Sequence, residues 1–180
     1  MDIPGVTRRL AIVWLIATSL LCAGCAAGRI VDGVYRDAAR RFQVDIPSAP
    51  WRSTFIEGAT LAFRLSELPV AMALRVDCDA PEPGETLWVA RHLFFGLQDR
   101  RALRQEPILV DGTAGLRSHV TARLDGRPVE AEGITVRRAG CLVDFMYVAA
   151  PERFAAGQPD FEAFVQSLAP VPAPDASGSP

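Results

Sequence analysis

The chain has 180 residues, 49% of them hydrophobic, with 19 basic and 21 acidic side chains and a formal charge of -2. That size and apolar content describe one domain with a real core and exclude disorder of the chain as a whole. The near-balance of charge leaves no excess for phosphate contacts, so no nucleic-acid partner is expected. Every basic residue is Arg, and neither Lys nor Asn occurs. That count closes a Walker-type phosphate loop, Schiff-base chemistry, a Ser-Lys dyad and N-glycosylation.

In chain order, Arg8 and Arg9 precede an uncharged apolar run over residues 10–24, shorter than the roughly 20 residues of a membrane-spanning helix. A charged start, an apolar stretch of this length and small residues after it are the pattern of a secretory signal. The run ends in Leu21-Cys22-Ala23-Gly24-Cys25, which resembles the lipobox of bacterial lipoproteins, with Cys22 standing where Leu is usual. The resemblance implies cleavage before Cys25, lipidation of that cysteine and attachment to the membrane through the acyl chains. Ordinary cleavage after Ala27 is the alternative. Ala26, where inner-membrane retention would call for Asp, implies an outer-membrane anchor facing the periplasm. Loss of residues 1–24 takes Asp2, Arg8 and Arg9 with it, so the mature charge becomes -3.

Residues 25–34 read as a lipidated tether, 35–168 as a single domain and 169–180 as a disordered tail rich in Pro and Ala. Phe42, Val44 and Ile46 alternate as a strand that Pro47 ends, and Trp51 follows as a lid on the core edge. Short strands are expected over 53–56 and 60–65. A longer one, from Val70, places Val70, Met72, Leu74 and Val76 on a buried face and Ala71 and Ala73 on a lighter one. Leu87, Ala90, Phe94 and Leu97 recur at helical spacing, which predicts a helix over about 85–99, with Arg100, Arg101 and Arg104 at its cationic end.

From residue 106 the pattern returns to strands. Leu116 to Leu124 alternates, and Asp125-Gly126 signals a hairpin. The return strand changes phase between Ala131 and Ile134, which predicts a bulge at Glu132-Gly133. A strand over 141–149 puts Cys141, Val143, Phe145 and Tyr147 on one face. A final helix, with Asp160 as its N-cap, carries Phe161, Phe164, Val165 and Leu168 on one stripe. The order predicts an α+β domain, a single antiparallel twisted sheet flanked by helices.

The Phe42-x-Val44-x-Ile46-Pro47…Trp51 entry and the Phe161…Phe164…Leu168 helix after a Tyr147 strand resemble the PsbP/Mog1-like α/β/α sandwich family. The resemblance spans residues 35–168 and extends to uncharacterised bacterial lipoproteins of that fold. Members act as photosystem subunits or bind small GTPases, which implies binding or scaffolding of an envelope partner and no catalysis.

Among candidate sites, Cys78 and Cys141 lie on apolar strand phases in a chain bound for an oxidising compartment. They form a disulfide if their strands are neighbours, or stay as two buried thiols. Arg117, Arg123, Arg127, Arg137 and Arg138 fall on one predicted hairpin, with Glu130 and Glu132 interleaved. They make either an anion-facing patch or a solvated, self-neutralised sheet face. His92 and His119 lack metal-ligand spacing, and Ser118 and His119 are strand neighbours pointing to opposite faces, which argues against a triad with Asp144. Asp77, Asp79 and Glu82 lack a dense calcium loop. No cofactor and no catalytic residue is therefore assigned. The alternatives are a carrier or sensor of a small apolar ligand, suggested by surplus Phe, Met and Trp, and a hydrolase with dispersed residues.

Overall fold

The structure is a computed structural model that describes residues 28–39, 41–66, 69–80, 93–94 and 96–172. The segment expected as a signal, Cys25, His92, Glu82 and most of the helix expected over 85–99 lie outside those residues. Seven antiparallel strands form the main sheet, in the order β4-β5-β6-β10-β9-β8-β7. They are β4 Trp51–Ser53, β5 Leu61–Leu65, β6 Val70–Asp77, β7 Gln98–Val110, β8 Thr113–Leu124, β9 Arg127–Arg138 and β10 Cys141–Ala149. A 3-10 turn, Pro151–Arg153, leads into helix α1, Phe154–Gln166.

A second sheet corrects the expectation of a single one. Strands β1 Arg29–Val31, β2 Val34–Arg36 and β3 Gln43–Asp45 pair in that order. Residues 29–34, expected as tether, are thus hairpin. Residue 169, expected as tail, is also part of the fold, because Ala169 and Gln43 exchange backbone hydrogen bonds of 2.8 and 3.0 Å. Gln98 and Asp99, expected to end a helix, already belong to β7, so Arg100, Arg101 and Arg104 are strand residues.

Four hairpins turn on two residues at positive φ: Asp32-Gly33, Asp111-Gly112, Asp125-Gly126 and Ala139-Gly140. Such turns match the twist of paired strands, and Asp-Gly is a pair that tolerates both left-handed positions. Asp125-Gly126 therefore makes the expected hairpin tightly, and β9 starts at once with Arg127.

The bulge expected at Glu132-Gly133 is absent, because β9 pairs without a shift with both β8 and β10. The phase change has another cause: β9 is covered on both faces. Ile134 and Val136 join the core beneath α1, whereas Ala131 packs with Phe94 and Val120 on the opposite face. Gly133 faces that second cluster, and a Cβ there would collide with the Leu93 side chain. The register shifts of this sheet lie in β7 instead, between Gln98 and Arg101 and between Ala102 and Arg104.

The main core lies between α1 and the sheet. Phe161, Phe164, Val165 and Leu168 are all buried there, as their spacing predicts. They meet Met72 and Leu74 of β6 and Phe145 and Tyr147 of β10. The Phe164 ring stands edge-on to Phe63 and Phe145, at 5.7 and 5.3 Å between centroids. Helix α1 starts earlier than expected: Asp160 is inside it and not its N-cap, one residue beyond the interior Pro159.

Candidate functional site: a trough and a buried ion cluster

The face of the sheet opposite α1 carries an open trough of about 1670 Å³. Its floor follows from the alternation of β6 and β10. Val70, Met72 and Leu74 point into the core, so Ala71 and Ala73 point the other way and leave space beside Met146 and Val148. Leu93 and Leu97 border it on one side and the loop Ile56–Ala59 elsewhere, with Arg64, Arg75 and Arg127 also lining it.

Asp144 is the buried polar group of this trough. Thr135 Oγ1 donates to its Oδ1 at 2.8 Å. Burial pushes its carboxyl above the usual carboxylate range, against the Thr135 bond and the charge of Arg75. The arrangement offers apolar contact, one acid held toward its neutral form, and cations around it.

The other face holds a cluster where side chains of α1 reach β8 and β9. Arg117 pairs with Glu132 at 3.3 Å and also with Glu162 of α1. Glu132 is 1% exposed, and Gln158 Nε2 donates to its second oxygen at 3.1 Å. His119 Nε2 meets Glu130 at 3.1 Å while its ring stacks on Phe154, 4.7 Å between centroids. Tyr147, directly opposite Glu132 on β10, donates its hydroxyl to the Phe154 carbonyl at 2.8 Å. Burial raises that phenol to about 12. These groups fix α1 on the sheet by ion pairs and hydrogen bonds.

The structure joins Cys78 and Cys141 in a disulfide, across the adjacent strands β6 and β10. Cys78 itself is exposed, just beyond the end of β6, and Cys141 is buried. The five arginines do not share a surface. Arg117 is held under α1. Arg123 donates to the Gly126 carbonyl and Arg138 pairs with Asp111. By register, Arg117, Arg123 and Arg138 lie on the α1 face, while Arg127 and Arg137 lie on the trough face. Ser118 and Asp144 lie on the face opposite His119, and Gln105 donates to Ser118 Oγ. Asp77 accepts from Arg75 and from the Asp79 backbone. Among the described residues, no group of three potential metal ligands occurs and no helix is long and apolar enough to cross a membrane.

Gln158 and Glu162 were not singled out from the sequence, and Asp160 was expected only as an N-cap. Glu132 carried the usable signal, since it shares a strand phase with Ile134 and Val136, and an acid on a buried phase requires a partner.

No protein-family model matches the chain, and no curated protein matches it by sequence. Solved structures do. The solution structure of cyanobacterial PsbP (CyanoP) from Synechocystis sp. PCC 6803 is similar at a TM-score of 0.54 and 15% identity, over 82% of this chain and 98% of that one. A Pseudomonas aeruginosa protein of unknown function, described as a putative regulator, gives a TM-score of 0.50 and 16% identity, over 73% and 92%. LpqN of Mycobacterium tuberculosis, described as involved in cell envelope biogenesis, gives 0.52 and 11%, over 73% and 83%. The domain has the PsbP/Mog1-like fold. Identities this low speak for fold alone.

Proposed function

We propose that this chain is an envelope lipoprotein, held by Cys25 at the outer membrane, whose domain binds or scaffolds an envelope partner without catalysis. The observation that carries the envelope reading is the Cys78–Cys141 disulfide. Such a bond belongs to an oxidising compartment, and the export signal supplies the route there. Likeness in fold to a protein involved in cell envelope biogenesis and to cyanobacterial PsbP is compatible with an accessory role.

The trough is the surface proposed for the partner. Its apolar floor, with Asp144 and three arginines around it, is of the mixed character that specific interfaces use. A photo-crosslinker replacing Ala73 in the native membrane should capture one specific protein. A second substitution, Ala71→Arg, should abolish that capture, and a crosslinker at Ile108 on the α1 face should not reproduce it. Capture insensitive to Ala71→Arg would refute the trough as the site. Separately, the intact mass of the chain recovered from membranes should carry the added acyl groups and lack residues 1–24, Cys25→Ser should abolish both changes, and an unlipidated wild-type mass would defeat the anchor.

The apolar floor also favours a second reading, a carrier or sensor of a small apolar ligand. Native mass spectrometry of the purified protein then shows a retained ligand, which Ala73→Trp should expel. A clean apo mass from freshly isolated protein rejects it.

A further inference from the structure

Strand β4 is an edge of the main sheet, and its hairpin with β5 carries two features that folding does not explain. The first is Phe55, 87% exposed, beside Ile56, 40% exposed, at the hairpin tip. This tip is pinned by its backbone: Thr54 N donates to the Ala62 carbonyl at 2.9 Å, Ala59 N to Ile56 at 3.1 Å and Thr60 N to Leu74 at 2.7 Å. The backbone on either side of Phe55 is therefore hydrogen-bonded while its ring stands exposed. The second is that Arg52 and Arg64 sit directly opposite each other across the pair. Both are exposed, and neither has an ion-pair or hydrogen-bond partner among the described residues.

Like charges placed directly opposite destabilise a strand pair, so this arrangement costs the isolated domain stability. An anionic surface supplies a countercharge that the described residues do not. Glu57, the acid between the two arginines in sequence, leaves the tip with a net positive charge. An exposed aromatic flanked by arginines is the chemistry of an interfacial anchor: the ring enters the headgroup layer and the guanidinium groups meet lipid phosphates.

We infer that the β4–β5 hairpin docks on an anionic phospholipid surface through Phe55, Ile56, Arg52 and Arg64. This site differs from the proposed Cys25 anchor and adjoins the trough, whose rim includes Ile56 and Arg64. It fixes how the domain stands on the bilayer, where the anchor alone fixes only its distance. The occupant is lipid, since a protruding ring beside opposed cations matches an apolar layer under a sheet of phosphates.

The test uses the full chain with Cys22→Ser and Cys25→Ser, carrying Ile56→Cys labelled with a solvatochromic fluorophore; the remaining cysteines are bonded to each other. The apolar run over residues 10–24 holds this chain on vesicles of either composition, which sedimentation verifies, so the probe reports the hairpin alone. On phosphatidylglycerol–phosphatidylethanolamine vesicles the emission should shift to the blue and become shielded from iodide. On phosphatidylcholine vesicles it should do neither. Arg52→Gln with Arg64→Gln, and separately Phe55→Ser, should each abolish the shift without changing the far-ultraviolet circular dichroism. Equal emission on both lipids overturns the inference. Shielding that appears only when envelope proteins are added also overturns it, in favour of a protein partner.

Discussion

The indole Nε1–H of Trp51 donates to the Asp160 carboxylate at 2.8 Å, tying edge strand β4 to helix α1 across 109 residues of chain. Trp51 is thus a buried lid with its one polar atom satisfied, as a large aromatic at a core edge requires. Trp51→Phe should keep most of the packing and lose the charge-assisted bond, costing about 2 kcal/mol in urea unfolding. Asp160→Asn, which still offers an acceptor, should cost less than about 1 kcal/mol. Equal losses would show that the carboxylate acts through something other than this bond.

Arg117 and Glu132 pose a sharper question of magnitude. With Glu132 almost fully enclosed, Arg117→Ala leaves an uncompensated acid under α1, and about 3–5 kcal/mol of stability should go. Arg117→Met with Glu132→Met should recover most of that loss, since the two ions are then removed together. Glu162 is more exposed, so Glu162→Ala should cost under about 1 kcal/mol. A double-mutant cycle measured by chemical denaturation separates these terms.

The disulfide closes a loop between residues 63 apart in sequence. Chain entropy alone assigns such a closure about 4 kcal/mol. Cys78→Ser with Cys141→Ser should lower stability by about that amount, and wild type unfolded in reductant should match the variant. Insensitivity of the wild type to reductant would place the two thiols apart in solution.

Two buried acids should pull the pH dependence in opposite directions. Asp144 is raised by burial, so its contribution is fully present below the unfolded pKa and is lost as pH rises through the folded one. Asp144→Asn should therefore stabilise the protein at neutral pH and flatten stability above the carboxylate range. Burial also acts to raise Asp37, but the Arg41 side-chain and backbone hydrogen bonds outweigh it and lower its pKa. Its contribution is present above the unfolded pKa and lost as pH falls through the folded one. Asp37→Asn should flatten the acid limb instead. Stability profiles of the two variants from pH titration with denaturant would test both signs.

Much of the fold is legible in local pattern. Phe161, Phe164 and Val165 share a helical stripe wherever the helix goes, and all three are buried, as is Leu168 just past the helix end. Asp125-Gly126 prescribes its hairpin because the demand for two left-handed residues is met within the turn itself. Local pattern misleads where it has two physical causes. The phase change in β9 looks like a bulge, yet a strand covered on both faces shows the same alternation. Arg100, Arg101 and Arg104 suit a helix end and an exposed strand equally well. Asp160 suits an N-cap only if the helix starts there, and continuation of the helix back through Pro159 removes that role.

The sequence by itself determined composition-level exclusions, the strand and helix phases, the export pattern around Cys25 and the candidate pair Cys78 and Cys141. These rest on covalent chemistry and on periodicities of two and 3.6 that neighbouring residues fix. Tertiary structure decided which candidates meet. It bonded the two cysteines by placing β6 beside β10 and split the arginines between two faces. It also closed α1 over Glu132 and left Ala71 and Ala73 as the floor of a trough. Proximity between residues far apart in sequence depends on strand order and on which face a helix covers, and neither is a property of any local window.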